Sequence, residues 1–200
     1  MGEKSKIEWT DSTWNPSTGC SKVSAGCINC YAERVALRLQ KLGTKKYKDG
    51  FNLTLHPEDL DLPIKWKKHK KIFVDSMSDL FHKDIPDEFI DKVWQTMGKA
   101  DWHIYQILTK RPERMAAYSW KQAELPNVWL GTSVEDSKVK YRIKFLQNSN
   151  AKIRFVSFEP LIGDVGELDL SNIHWAIVGG ESGNNHRPIK EEWVLNILEQ

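Results

Sequence analysis

The chain has 200 residues, is 40% hydrophobic and carries a formal net charge of +2. This length suits a single domain over residues 1–200, and no apolar run approaches the roughly 20 residues that a membrane-spanning helix needs. A net charge near zero excludes a protein that attracts nucleic acid through a large overall positive charge. Because the polar segment 1–8 has no signal-peptide core, we expect a cytoplasmic protein with no membrane partner.

Short apolar runs alternate with helical patterns along most of the chain. The predicted strands are 7–10, 72–74, 103–108, 128–130, 153–156 and 175–178. The predicted helices follow the last cysteine, begin near Asp87 and at Pro112, end near Leu146, and run from about Lys190 to the chain end. Between them, the polar segment 43–62 has proline breakers and is expected to be weakly ordered. The alternation predicts an α/β fold whose parallel strands are joined by right-handed helical crossovers.

Each predicted strand ends in polar residues, and this is where α/β proteins bind ligands. The exits are 75–79, 109–112, 131–136, 157–160 and 179–183. Because the carboxyl ends of parallel strands lie at one edge of a sheet, we expect these side chains to face a shared site. The cysteines follow the first predicted strand and are therefore expected at the same edge.

Two runs of lysine interrupt this pattern. The first holds Lys45, Lys46 and Lys48, and the second holds Lys65, Lys67, Lys68, Lys70 and Lys71 with His69. Each run is either a solvated approach to the next element or a patch that binds phosphate. The second run precedes a strand, so we expect it at the edge opposite the ligand site.

Cys20, Cys27 and Cys30 are the only cysteines, and they lie within eleven residues. An odd, clustered set is typical of a metal centre and not of a disulfide framework. A structural zinc site needs four protein ligands, whereas an iron–sulfur cluster on three thiolates leaves one iron open. Candidate fourth zinc ligands are His56, His69, His82, His103, His174 and His186, and none has a telling spacing.

The three-cysteine loop, the helix behind it and the polar strand exits resemble the radical S-adenosylmethionine superfamily. Five blocks resemble more closely the phage Gp37/Gp68-like (DUF5131-type) family, a radical-S-adenosylmethionine-like family of unassigned substrate. These blocks are 14–20, 75–82, 108–112, 157–161 and 179–183. The gap between Cys20 and Cys27 is longer than the superfamily's usual spacing, and Asn29 stands where an aromatic residue is common.

The resemblance implies a partial (β/α)6 TIM-like barrel with the cysteine loop after its first strand. Cys20, Cys27 and Cys30 would hold a 4Fe-4S cluster whose open iron binds S-adenosylmethionine. An external electron donor would then drive cofactor cleavage and hydrogen abstraction from an unidentified substrate, a small molecule or a nucleic acid. A phage setting, implied by the resemblance alone, favours nucleotide or nucleic-acid modification.

The resemblance and the strand positions together nominate cofactor-binding residues. The 75–79 exit would contact the cofactor amino group, or its residues would cap the next turn. The 109–111 exit would hold the cofactor carboxylate or an anionic substrate, or it is a solvated loop. Ser133, Glu135 and Glu159 are candidate acceptors for ribose or substrate. The full set is Asp75, Ser76, Ser78, Asp79, Thr109, Lys110, Arg111, Ser133, Glu159, Gly179, Gly180 and Glu181.

Glu159 and Glu181 are the candidate catalytic carboxylates, because each directly follows a predicted buried strand or a glycine pair. Two other functions remain open. One is a zinc-stabilised nucleic-acid-binding module without catalysis, and the other is a metal-free α/β binding protein. The chain ends in an uncapped amphipathic helix, so we expect it to be truncated relative to its relatives, with a barrel edge left uncovered.

Overall fold

The computed structural model describes residues 5–183 and 185–200. The strands are β1 Ser12–Trp14, β2 Ser17–Thr18, β3 Thr54–Leu55, β4 Lys71–Val74, β5 Ile104–Thr109, β6 Val128–Ser133, β7 Ile153–Phe158 and β8 Trp175–Val178. The helices are α1 Tyr31–Lys41, α2 Leu62–Lys65, α3 Asp87–Lys99, α4 Pro112–Ser119, α5 Arg142–Gln147 and α6 Glu191–Glu199. Among the described residues, none of these helices has the length and apolarity needed to cross a bilayer.

Six strands form one parallel sheet in the order β1-β4-β5-β6-β7-β8. Helices lie between the consecutive sheet strands from β1 to β7, whereas residues 159–174 join β7 to β8 without a helix, and the parallel sheet with its helices confirms the predicted α/β class. The pairing fixes the carboxyl edge: Ser133 of β6 lies beside Ser157 of β7. The carboxyl ends of all six strands therefore lie at the same edge of the sheet.

The two faces of the sheet have different roles. Alternate residues such as Ile72, Ile107, Leu130 and Val156 are buried in the apolar core beneath the helices. Helix α3 covers this face with an apolar stripe at helical spacing. The two carboxylates in its first turn stabilise the helix, because they lie at the positive end of its dipole. The other face carries the residues in between, and it leads to the carboxyl edge.

Trp9 shows that this second face is concave. Its ring centroid lies 4.7 Å from that of Phe73 on β4 and 6.1 Å from that of Trp175 on β8. In a flat sheet, β4 and β8 would be about 19 Å apart, since neighbouring strands are separated by about 4.8 Å. The sheet therefore curls around Trp9, whose carbonyl accepts a hydrogen bond from the Gln106 side chain.

The first predicted strand, 7–10, is wrong: the strand is Ser12–Trp14. Buried Ser12 and Trp14 alternate along it and pair with β4, and the Trp14 indole donates to the Asp59 carbonyl. Residues 7–10 instead bring Trp9 onto the concave face. The other predicted strands and helices are present, with ends shifted or extended by one to a few residues.

The expectation of a weakly ordered segment 43–62 is also wrong. Its strand β3 pairs antiparallel with β2, and Tyr47 is buried in a small core beside α1. These contacts depend on residues far apart in the chain, which local composition does not reveal. The ordered segment supports the chain between β1 and α1, where the cysteines lie.

Candidate functional site

A cavity of about 490 Å³ lies at the carboxyl edge of the sheet. This volume is in the range of small-molecule and cofactor sites. The three cysteines line it together with residues from the exits of β4 to β8. The predicted residues in its wall are Asp75, Ser76, Ser78, Asp79, Thr109, Lys110, Arg111, Ser133, Glu159, Gly180 and Glu181.

Gly179 is the predicted residue that the wall does not include. A Cβ atom at this position would lie 2.4 Å from Glu159 Oε1. The glycine therefore leaves room for the Glu159 carboxylate and does not itself face the cavity. Glu159 Oε2 accepts a hydrogen bond from the Ser157 hydroxyl at 3.1 Å.

The cysteine loop, residues 20–30, is bound to the exit of β5 through Arg111. Its guanidinium donates to Asp79 Oδ2 at 2.8 Å, to the Ser21 carbonyl at 2.9 Å and to Cys20 Sγ at 3.5 Å. Burial raises the pKa of the Cys20 thiol to about 11, the Asp79 carboxylate adds to the rise, and Arg111 opposes it. Arg111 is therefore committed to holding this end of the loop.

Asp79 is the centre of this arrangement. Besides Arg111, it accepts hydrogen bonds from the Thr109 hydroxyl at 2.6 Å and from the backbone N–H groups of Phe81 and Lys110. Four donors leave this carboxylate little capacity for a ligand. Asp79 and Thr109 thus join the exits of β4 and β5, and Asp79 also caps the turn that follows β4.

Asp75 is buried and has a left-handed backbone, with φ of 57°. Its two oxygens accept from the Ser17 backbone N–H at 3.0 Å and from the Ser17 hydroxyl at 2.9 Å. Burial raises the pKa of the Asp75 carboxyl to about 7, and the Ser17 hydrogen bonds limit the rise. Ser76 and Ser78 donate their hydroxyls to Asn15 and Gly19, so the β4 exit is braced against the chain that leads to Cys20.

Glu135, at the exit of β6, binds the middle of the cysteine loop. It accepts from the Gly26 backbone N–H at 3.2 Å and forms a fully buried ion pair with Arg142 at 2.8 Å. Two charged side chains can be buried here because they form an ion pair with each other, whereas a lone buried charge is strongly unfavourable. Glu135 therefore belongs to the framework under the loop, and it does not line the cavity as a ligand acceptor would.

Glu181 and Arg187 hold the far end of the loop. Glu181 accepts from the Asn29 amide at 2.8 Å and pairs with Arg187, which also donates to the Ala25 carbonyl at 2.9 Å. Hydrogen bonding from Arg187 lowers the pKa of Glu181 to about 2, so this carboxylate is ionised at neutral pH. It is a poor proton donor there, and Glu159 is the better-placed of the two candidate catalytic carboxylates.

Some wall residues keep groups that are available to a ligand. Within residues 5–183 and 185–200, the Lys110 ammonium forms no ion pair, while its backbone N–H is bound to Asp79. The hydroxyls of Ser133 and Ser157 lie side by side on neighbouring strands next to Glu159. One cation and a row of oxygen groups therefore line the same cavity.

Sequence reasoning gave no specific role to four residues that build this site: Trp9, Asn29, Ser157 and Arg187. Ser157 was detectable, because it lies two residues before Glu159 on one strand and so shares its face. The others act through contacts between distant segments and leave no local signal.

The metal chemistry of the site rests on its thiols. All three cysteines are free and half-exposed, yet no group of three His, Cys, Asp or Glu side chains converges on a metal position in the described part of the chain. None of the six histidines, all of which belong to the described part of the chain, lines the cavity. His82 is hydrogen-bonded to Ser21 at 2.7 Å, and His56 to Thr18 at 2.8 Å.

Comparison with known proteins gives one family match. Neither the curated proteins nor the solved structures that were searched contain a match to this chain. Residues 4–200 match the family described as "Protein of unknown function (DUF5131)". Because the match covers nearly the whole sequence, the chain belongs to the DUF5131 family.

Proposed function

We propose that this protein is a radical S-adenosylmethionine-type enzyme with a 4Fe-4S cluster on Cys20, Cys27 and Cys30. The observation that carries the proposal is the position of the cysteine loop. All three thiols line the cavity at the carboxyl edge, and the exits of β5, β6 and β8 hold the loop there. The curled parallel sheet supports a partial (β/α)6 TIM-like barrel as the scaffold.

The chemistry of the three donors supports such a cluster. Three thiolates on one loop are soft ligands of the kind that iron–sulfur clusters use, and they leave one iron for another ligand. A structural zinc site would need a fourth protein ligand, and among the described residues no histidine lines the cavity. A cluster held by Cys20, Cys27 and Cys30 would supply the electron for reductive cleavage of S-adenosylmethionine and so the means of removing a hydrogen atom from the substrate.

The protein's own residues position the cofactor and the substrate. Lys110 would bind the cofactor carboxylate, because the neighbouring Arg111 is already paired with Asp79. Ser133, Ser157 and Glu159 offer hydroxyl and carboxylate oxygens to ribose or substrate hydroxyls. Trp9 and Phe73 add apolar surface to the cavity wall.

An external protein would deliver the electron, and the substrate would be a small molecule or a nucleotide unit that fits the remaining space. Glu159 is the wall carboxylate suited to proton transfer in later steps, because both oxygens of Asp75 already accept hydrogen bonds from Ser17.

The test is reductive cleavage of S-adenosylmethionine by anaerobically reconstituted protein. With dithionite as the electron source, the wild type should form 5′-deoxyadenosine and methionine, whereas Cys27→Ser should form neither above background. Lys110→Gln should keep the cluster and raise the cofactor concentration needed for half-maximal cleavage by about tenfold, the worth of one charged hydrogen bond. A fully loaded wild type that cleaves no more cofactor than Cys27→Ser would overturn the proposal.

A further inference from the structure

The lysine patch, defined as Lys65, Lys67, Lys68, Lys70 and Lys71 with His69, lies away from the cavity. It connects the end of α2 to the start of β4. The start of a parallel strand is at the amino edge of the sheet, so the patch lies opposite the cysteine loop. The proposed enzymatic chemistry makes no use of it.

The patch holds more positive charge than the whole chain. The chain's net charge is +2, and the five lysines of the patch contribute +5, which leaves −3 for all other residues. Segment 64–74 contains no carboxylate. The basic charge is therefore concentrated at one edge of an otherwise acidic molecule.

Lys65, Lys67 and Lys68 of the patch also differ from the cations at the site. Arg111, Arg142 and Arg187 are each paired with a carboxylate. Within the described residues, Lys65, Lys67 and Lys68 are exposed and form no ion pair. Asp11 contacts the end of the patch, where its carboxylate accepts a hydrogen bond from the Lys71 backbone N–H at 2.7 Å, and among the described residues it forms no ion pair with Lys65, Lys67 or Lys68.

Aromatic contacts fix the backbone that presents the charges. The Trp102 indole donates to the Trp66 carbonyl at 2.8 Å, the His69 ring is bonded to the Trp102 carbonyl at 2.6 Å, and the Lys70 ammonium lies over the Trp66 ring. A fixed array of cations loses little entropy when it binds. The patch carries no large exposed apolar side chain of the kind that anchors a protein in lipid.

We propose that the lysine patch binds the phosphate backbone of nucleic acid without regard to base sequence. Lysine ammonium groups contact phosphates as point charges, which positions a nucleic acid but does not read it. This surface would hold nucleic acid at the edge opposite the cavity. The inference does not depend on the iron–sulfur chemistry, because no residue of the patch lines the cavity.

The test compares two triple variants with the same change in charge. The patch variant carries Lys65→Gln, Lys67→Gln and Lys68→Gln, which remove three of the five lysine charges. The control variant carries Lys41→Gln, Lys45→Gln and Lys48→Gln, which remove three exposed lysines at the end of α1 and just after it. The anisotropy of a fluorescein-labelled DNA duplex reports binding over a series of salt concentrations. Wild type should bind with an affinity that falls steeply with salt.

The patch triple variant should bind at least about tenfold more weakly, and its slope of log K against log salt should be shallower by about one unit per lysine. The control triple variant should bind like the wild type. The proposal is overturned if both variants lose affinity equally, if the wild type does not bind the duplex at low salt, or if it binds vesicles containing phosphatidylserine and not the duplex.

Discussion

The Arg111 guanidinium and the Asp79 carboxylate form an ion pair at 2.8 Å, with only 13% and 8% of their side chains exposed. This pair joins the exits of β4 and β5 and adds the first residues of the cysteine loop to the same network. Three segments that are distant in sequence are thus held at one edge of the sheet. The position of Cys20 depends on this junction.

Removing the junction is expected to destabilise the fold. Arg111→Gln leaves the Asp79 carboxylate largely buried and without its charged partner, which should cost about 3 kcal/mol in the free energy of unfolding. Urea denaturation measures this loss. Lys121→Gln is the control, because its pair with Asp87 is 63% and 42% exposed and should contribute less than about 1 kcal/mol. Equal losses in the two variants would contradict the role assigned to Arg111.

Asp75 makes stability depend on pH. Its pKa rises from 3.8 in the unfolded chain to about 7 in the folded protein, so the folded state retains a proton that the unfolded state releases. The free energy of unfolding should therefore fall as pH rises from about 4 to 7, through this group alone. Asp75→Asn does not titrate, and its amide can still hydrogen-bond with Ser17.

We expect the stability of Asp75→Asn relative to wild type to increase by about 3 kcal/mol between pH 5 and pH 8. Denaturation of both proteins at each pH measures the difference. The same difference at both pH values would show that the Asp75 carboxyl titrates normally.

A glycine-to-alanine variant on β6 tests how tightly the concave face of the sheet is packed, and a second one in α3 is its control. A Cβ atom at Gly131 would lie 2.5 Å from the Phe155 ring, which is itself held between Trp9 and Trp175. Gly131→Ala should therefore destabilise the protein by about 2 kcal/mol. At Gly98 of α3 the added atom would meet Leu125 at an ordinary 3.6 Å, so Gly98→Ala should stabilise by about 0.5 kcal/mol.

Thermal denaturation of the two alanine variants measures these opposite shifts. A Gly131→Ala protein as stable as the wild type would mean that the Phe155 ring moves freely, and the concave face would then be loosely filled.

The order of strands and helices was readable from the sequence, because each strand of a parallel sheet is a short apolar run that ends in polar residues. The first strand was not. Ile7–Thr10 is as apolar as Ser12–Trp14, and only pairing with β4 and burial of Trp14 select the second. Likewise, β2 and β3 are two residues each and gain their order from pairing across the chain.

The wall of the candidate site was largely predictable, whereas the roles of its residues were not. Position after a strand places a side chain at the carboxyl edge, so Asp79 and Glu181 were found. The sequence did not reveal that Asp79 pairs with Arg111 and that Glu181 pairs with Arg187. A carboxylate bound by its own protein cannot be distinguished from a ligand-binding one by spacing alone.

The most direct test of the iron–sulfur assignment is the iron and acid-labile sulfide content of anaerobically purified protein, together with its electron paramagnetic resonance spectrum. We expect about four irons and about four sulfides per chain, lost in Cys27→Ser and kept in Ser24→Ala, with a reduced-cluster signal that changes when S-adenosylmethionine is added. A colourless protein that holds one zinc, or no metal, would contradict the assignment.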